Sequence, residues 1–366
     1  MLVYNKTNFV FGITMGMDVA GREYLSLVVK GTFGFPDHPD QPPVPTPKQT
    51  PLVMADEYSG EPGYSATTWE TDYAFRKGRC DVVLNGAAYA PGGGPAEKVQ
   101  VGLKVGAMAK TFNVTGHREW RVVGPTITAT DPVPFTRTLF SYDTAFGGAC
   151  TLDPDDALPP VYLANPVGQG FASVKNQSHL SGTPLPNTEE IGAPVTSPYE
   201  DYRPMALGPI SRVSPERQRF GGTYDDDWKD NVFPFLPADF DERYYQQTAT
   251  DQQIDFPVGG TQVVLVNLTP RGKEAFYLPD TRLPLTIWRD WEKALETSAL
   301  PDTLLIDAEN RMFSLAWRVE APIRRVITEF TEFWIGTPSR GQVRAKQKGK
   351  TYMPSAPNRL SGEVAM

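Results

Sequence analysis

The sequence predicts a mainly β protein, with antiparallel, sandwich-like sheets, long ordered loops rich in Pro and Gly, and few short helices. Three observations point there. The 366 residues include 35 Pro and 32 Gly, too many for a helical protein because Pro costs ~3 kcal/mol in a helix interior. Hydrophobic residues make up 40% and aromatic residues 11%, enough for a core, and Pro plus Gly stays below the ~25–30% of low-complexity chains. Several segments also alternate apolar and polar residues with the period of two that turns one face to a core.

Taken in order, Tyr24 to Phe33 is dense in β-branched and aromatic residues and reads as a strand. Residues 36–51 carry seven prolines, which join neither helix nor ladder and so mark an extended loop. A second strand begins near Cys80. Val99, Val101, Leu103 and Val105 alternate with polar or small neighbours, Gly106-Ala107-Met108 turns, and Lys110 to Thr115 returns as a hairpin. Pro91-Gly92-Gly93-Gly94-Pro95 lacks a following Lys-Ser/Thr and reads as a loop between strands. Residues 149–220 hold eleven prolines and no sustained periodicity, so an ordered but irregular insertion is expected. Gln262 to Leu268, ending at the turn Thr269-Pro270-Arg271-Gly272, and Met312 to Val319 read as strands. Residues 283–298 satisfy both periods: Leu283, Leu285 and Ile287 alternate, whereas Trp288, Trp291, Ala294 and Leu295 recur at helical spacing. Ile323, Val326, Ile327, Phe330, Phe333 and Trp334 share one helical stripe, which predicts a helix.

The whole of residues 1–336 reads as one domain. Net charge is −8, which disfavours nucleic acid as a partner. Residues 337–366 run against it with Arg340, Arg344, Lys346, Lys348, Lys350 and Arg359 against Glu363, and are expected to form a flexible basic tail. No apolar run approaches the ~18 residues of a membrane span, so no membrane insertion is expected. The N-terminus lacks the basic start, apolar block and cleavage site of a signal peptide. Cys80 and Cys150 match no zinc or redox spacing and read as buried thiols. Together these features lead to an expected place in the cytoplasm.

The sequence carries no familiar catalytic pattern. His38, His117 and His179 each lack a second His or Cys at ligand spacing, so no metal or cofactor is expected. There is no Gly-x-Ser-x-Gly, no dinucleotide fingerprint and no phosphate loop. The densest polar run is Gly221 to Trp228, followed by Asp239-Phe240-Asp241-Glu242-Arg243. Paired carboxylates there (Asp225, Asp227, Asp239, Asp241) suit general acid and base work, as in a hydrolase or carbohydrate-active protein. The competing and favoured reading is turn chemistry, since Asp bonds the backbone two residues on and Arg243 can clamp a carboxylate.

The same blocks carry a resemblance. Lys77-Gly78-Arg79-Cys80-Asp81 leading to Ala88-Tyr89-Ala90-Pro91-Gly92-Gly93, Gly116-His117-Arg118-Glu119-Trp120, and Tyr142-Asp143-Thr144-Ala145-Phe146-Gly147-Gly148 occur in order. They continue through Asn165-Pro166-Val167-Gly168-Gln169-Gly170-Phe171, Leu185-Pro186-Asn187, Gly222-Thr223-Tyr224-Asp225 with Trp228, and Leu236-Pro237-Ala238-Asp239-Phe240-Asp241. Asp251-Gln252 and Asp302-Thr303 with Trp317-Arg318 complete the series. From Asn5 to about residue 320 the chain resembles the bacterial DUF2169 family. His117 and Cys80 depart from the residues usual at those places, an acidic or small polar residue and Thr or Ser. The chain also ends without the pentapeptide repeats some relatives carry, so the resemblance implies a stand-alone protein.

Members of that family are associated with type VI secretion gene clusters. The resemblance therefore implies a non-enzymatic adaptor or chaperone that binds a secreted effector and helps to load it on the VgrG or PAAR spike. A structural accessory of the secretion apparatus is the other reading in that class. Expected partner-binding residues are Phe146, Asn165, Phe171, Tyr224, Asp225, Trp228, Asp239, Asp241 and Arg243. Their aromatic members are the types enriched in interface hot spots.

Overall fold

The computed structural model describes residues 1–352 apart from Pro154. Among its strands are β1 (Leu2–Asn5), β2 (Val10–Met17), β3 (Glu23–Gly34), β4 (Cys80–Tyr89), β5 (Lys98–Val105), β6 (Met108–Thr115), β7 (Arg137–Phe140) and β8 (Thr188–Glu189). Seven more follow: β9 (Gln262–Val266), β10 (Lys273–Tyr277), β11 (Leu283–Arg289), β12 (Glu292–Ala299), β13 (Pro301–Asp307), β14 (Met312–Pro322) and β15 (Phe330–Ile335). The expected mainly β, antiparallel architecture holds.

Three sheets surround a common core. The central sheet runs β7-β4-β13-β14-β3-β2, a second runs β8-β6-β5-β9-β10, and a third runs β1-β15-β11-β12. Ladders between these strands are antiparallel except β4 with β13 and β1 with β15. Leu27 and Val29 of β3, Val101 and Leu103 of β5, Leu285 and Ile287 of β11, and Phe313 and Leu315 of β14 all belong to that single core. The rings of Phe276, Phe313 and Phe33 stack in series within it.

The hairpin of β5 and β6 forms with its turn at Gly106, whose φ of 59° favours glycine. Residues 36–51 remain a loop, held to β3 by a bridge between Pro45 and Phe33 and by bonds of Thr32 with Thr46, Gln49 and Thr50. Two expectations are corrected. Residues 323–334 are not a helix: a short turn at Ile327–Glu329 leads into β15, five of whose six residues are buried. A strand covered on both faces has no alternation to read. The double period of 283–298 resolves as the hairpin of β11 and β12, which turns at Asp290 and Trp291.

The basic tail is corrected in part. Arg340–Gln347 forms a helix, here α2, begun by a reciprocal capping box between Ser339 and Gln342. Lys346, on its inner face, is buried: its ammonium donates to Glu332 at 2.7 Å and the Asp290 carbonyl at 2.6 Å, and lies 4.5 Å from the Trp288 ring centre. Packing and an ion pair thus hold a segment expected to be frayed. The rest of that expectation, residues 353–366, lies outside the described residues.

The long insertion at 149–220 is ordered around a second core of Trp120, Phe146, Cys150, Ala172, Leu180, Leu185 and Val195. Cys80 lies in the main core, so the two thiols belong to different clusters. Burial pushes the Cys80 thiol well up, which keeps it protonated. Glu189 on β8 ties the insertion to the second sheet. It accepts from Arg118 at 2.7 Å, Lys98 at 3.1 Å and the Val195 amide at 3.2 Å.

Burial pushes the Glu189 carboxyl up, but Arg118 and Lys98 outweigh it and hold the group below its ordinary value. A carboxyl depressed on folding stabilises fully above its unfolded pKa of about 4.3, and that contribution is lost as pH falls through the folded value. Urea unfolding should therefore give a constant stability near neutral pH and a decline as the pH drops below about 4.3. Glu189→Gln should be less stable at pH 7 and should flatten that decline; an unchanged pH profile would contradict the assignment.

Candidate functional site

Two buried ion pairs mount the loop of residues 220–245 on this frame. At its entry the short helix α1 (Pro215–Gln218) carries Arg217, which is buried and ion-paired with Glu70. Its guanidinium also donates to the Ile210 carbonyl at 3.1 Å and the Tyr244 carbonyl at 3.0 Å. Beyond its exit, Asp81 of β4 accepts the amides of Gln247 at 3.1 Å and Thr248 at 3.2 Å, the Thr248 hydroxyl at 2.7 Å and the Lys77 ammonium at 2.7 Å. The exit of the loop is therefore bolted to the central sheet, and its entry to Glu70 in the segment that precedes β4.

Within the loop four of the acidic residues have local tasks. Asp225 accepts the Trp228 amide at 2.9 Å, and Asp227 accepts the Asn231 side chain at 2.7 Å. Asp239 reaches back to the Thr223 amide and hydroxyl at 3.0 and 2.7 Å, closing the base of the loop beside Gly222. Those bonds hold its carboxyl below the usual carboxylate range. Asp241 accepts the Arg243 amide at 2.9 Å and pairs with its guanidinium, which also lies 4.2 Å from the Phe220 ring centre. This is the Asx chemistry of turns and caps.

The aromatic residues build the outer surface. Trp228 packs edge-on against Tyr224, with ring centres 4.7 Å apart, and against Phe233 at 5.6 Å. Its indole N–H donates to the Phe235 carbonyl at 2.9 Å, and its own carbonyl accepts the Phe233 amide five residues on, a single π-helical turn. Trp228 is thereby fixed and only partly exposed. Around it Tyr224, Phe233 and Phe235 are exposed by 55%, 66% and 48%. Asp225, Asp226, Asp227 and Asp230 are exposed in the same turn, with Lys229 the one cation between them in sequence.

The expected site residues separate accordingly. Tyr224, Asp225, Trp228, Asp239, Asp241 and Arg243 come together in this loop. Phe146, Asn165 and Phe171 do not: they belong to the interior and flank of the insertion. Phe146 is enclosed by Tyr162 and Tyr202, and the buried Asn165 amide donates to the Tyr142 and Phe146 carbonyls at 2.8 and 3.1 Å. At Gly147, with φ of 148°, a Cβ would come within 2.2 Å of the Asn165 carbonyl oxygen, so the two motif blocks interlock through backbone contact. Phe171 is half-buried against Tyr162. A partner cannot reach Phe146 or Asn165 in the folded chain, since a hot spot has to be presented at the surface before it is desolvated. Phe233 and Phe235 were missed; the signal was Phe-Pro-Phe following an Asp-rich turn, a pair of aromatics displayed by a proline.

Other blocks also prove to be joints of the frame. Gln252 is fully buried and links the Val82 and Leu207 carbonyls, at 2.8 and 2.9 Å, with the Lys110 ammonium at 2.7 Å. Arg318 pairs with Asp302, and the Trp317 indole donates to the Thr281 carbonyl at 2.7 Å. All three histidines are exposed, and among the described residues no group of three or more His, Cys, Asp or Glu is placed to hold a metal ion. No helix among them is long and apolar enough to cross a membrane.

The family model described as an uncharacterized protein conserved in bacteria, DUF2169, matches residues 20–318. The chain belongs to the DUF2169 family. That match spans the central sheet from the turn before β3 into β14, the insertion and the aromatic loop. No curated protein and no solved structure matches the chain.

Proposed function

We propose that this DUF2169 protein is a cytoplasmic, non-enzymatic adaptor that binds a type VI secretion effector and helps to load it on the VgrG or PAAR spike. The observation that carries the reading is the exposed aromatic patch of Tyr224, Phe233 and Phe235, mounted rigidly around Trp228. A rigid aromatic surface binds at low ordering cost, and Tyr, Trp and Phe are enriched at the centres of interfaces. The aspartates of the same turn fit an apolar patch on the effector that is rimmed by Lys and Arg, and they favour encounter at low salt.

The test is co-purification of the tagged chain from its native host with the effector and spike proteins encoded beside it, together with a secretion assay. Near-stoichiometric recovery of one effector, and loss of its secretion on deletion, are the expected results. Secretion of every effector unaltered by deletion would overturn the reading. The double change Phe233→Ser/Phe235→Ser should weaken effector binding at least ~10-fold, since each hot spot contributes about 1–2 kcal/mol or more. Its unfolding midpoint should fall only modestly, because Phe233 is mostly exposed and Phe235 about half exposed.

A further inference from the structure

We propose that β2 is the contact edge of a two-fold dimer, in which it pairs antiparallel with β2 of a second copy of the chain. The eight residues Val10–Met17 end the central sheet, and none of them is buried, whereas nine of the twelve in the adjoining β3 are. Asp18 donates its amide to the Arg22 carbonyl, and the β2–β3 register continues without a shift from Met17 opposite Glu23 to Val10 opposite Lys30. In an antiparallel ladder the bonded pairs alternate. Counting by twos from Asp18, the amides and carbonyls of Gly16, Thr14, Gly12 and Val10 face β3, and those of Phe11, Ile13, Met15 and Met17 point outward. Among the described residues no backbone group bonds to that outer edge; the Thr14 hydroxyl reaches the Met15 carbonyl at 3.5 Å.

Natural sheets guard such edges with charge, proline, bulges or brevity. The comparison within this chain is direct. The other eight-residue edge, β12, carries Glu292, Lys293 and Glu296, and its ladder to β11 breaks register at Ile287 and Trp288. Edge strand β10 is shorter and begins with Lys273 and Glu274. β2 reads Val-Phe-Gly-Ile-Thr-Met-Gly-Met, with no charge, no proline and no bulge. Its two glycines serve packing and do not protect the edge: a Cβ at Gly12 would come within 2.2 Å of the Tyr73 hydroxyl, and one at Gly16 within 2.1 Å of the Phe75 ring.

The occupant follows from self-complementarity. With Ile13 opposite its own counterpart, the outward groups of Phe11 meet those of Met15 in the second copy and those of Ile13 meet their own; Met17 falls opposite Phe9, whose amide and carbonyl are already bonded to Thr7 and Asn5. The same register sets Phe11 beside Met15, a favourable ring and sulfur contact, and Ile13 beside Ile13, on the face that already packs against the shared core. No like charges oppose one another anywhere along the seam. An isologous interface of this kind closes after two copies.

Sedimentation equilibrium of the full chain over a concentration series is the test. The wild type should rise from one to two chain masses, and the amides of Phe11, Ile13 and Met15 should gain exchange protection in step. Met15 is half-exposed, so Met15→Lys should fold with an unchanged urea midpoint and remain monomeric over the whole series. Met15→Pro, which removes an outward N–H and no bond to β3, should do the same. A wild type that stays monomeric at every concentration, or a dimer undiminished in Met15→Lys, would overturn the proposal. A monomer whose β2 amides become protected only on adding another protein would overturn it too, and would assign the edge to that protein's strand.

Discussion

Asp81→Ala is expected to cost about 3–5 kcal/mol of stability, the largest single effect of the changes considered. The side chain is fully buried and accepts from two amides, a hydroxyl and the Lys77 ammonium, itself almost wholly enclosed. Removing the carboxylate leaves a buried cation without its counter-charge and two amides without an acceptor, and unmade bonds cost more than made ones contribute. Lys77 keeps only the Thr303 hydroxyl at 3.2 Å. The measurement is the urea midpoint, expected to fall at constant slope. A loss below about 1 kcal/mol would mean that water enters and satisfies the site.

Glu70→Ala is expected to come close behind, again about 3–5 kcal/mol. Glu70 stands between Arg217 and Arg212, and Arg212 also holds Asp56 through a two-point contact at 2.6 and 3.0 Å. Without Glu70 two guanidiniums face each other across a buried gap, and the Arg217 side chain keeps only the two carbonyls. Arg217→Ala should cost less, since Glu70 then retains Arg212. The pair Glu70→Leu/Arg217→Met should recover much of the loss, because apolar packing often replaces a buried ion pair at little cost. Equal losses in the two single variants would refute this division of labour. Because Arg217 ties Ile210 to Tyr244, either single change should also loosen the aromatic loop, read as faster amide exchange over residues 220–245.

Much of this frame was legible from residue order. The β5–β6 hairpin and β9 announced themselves by alternation between a core face and a more open one, whereas β3 and β14, buried over most of their length, were read from their β-branched and aromatic density. β15 did not announce itself, because its apolar residues fell on a helical stripe by counting across a turn at Ile327–Glu329 that resets the phase. Trp288 and Trp291 mimicked a helix in the same way, although one packs against Trp334 and the other tops a hairpin. α2 hid because a basic run resembles a solvated end, and nothing in its composition reveals that Glu332 and two tryptophans receive Lys346.

The site was half legible. Aspartates at turn spacing pointed to the 220–245 loop, and the structure gives them turn roles. Phe146 and Tyr224 were indistinguishable as loop aromatics, because irregular backbone has no period to separate inside from outside. The motif blocks misled for a related reason: Asn165, Gln252 and Arg318 hold the frame from within, whereas Phe233 and Phe235 stand in water between blocks.

The ladder between β3 and β14 also dates the folding event. Leu27 lies opposite Val319, and Thr32 and Ser314 share a hydroxyl contact at 2.9 Å, so neighbours in the central sheet come from opposite ends of the chain. Contacts this remote in sequence form slowly, since a long loop must close before any of them is made. During synthesis β3 can meet β2 and the loop at residues 44–49 early, but β14 only after β4 to β13 have been made. One edge of β3, with Leu25, Leu27 and Val29 upon it, therefore lacks its neighbour for much of translation, the kind of exposure that makes incomplete chains prone to aggregate.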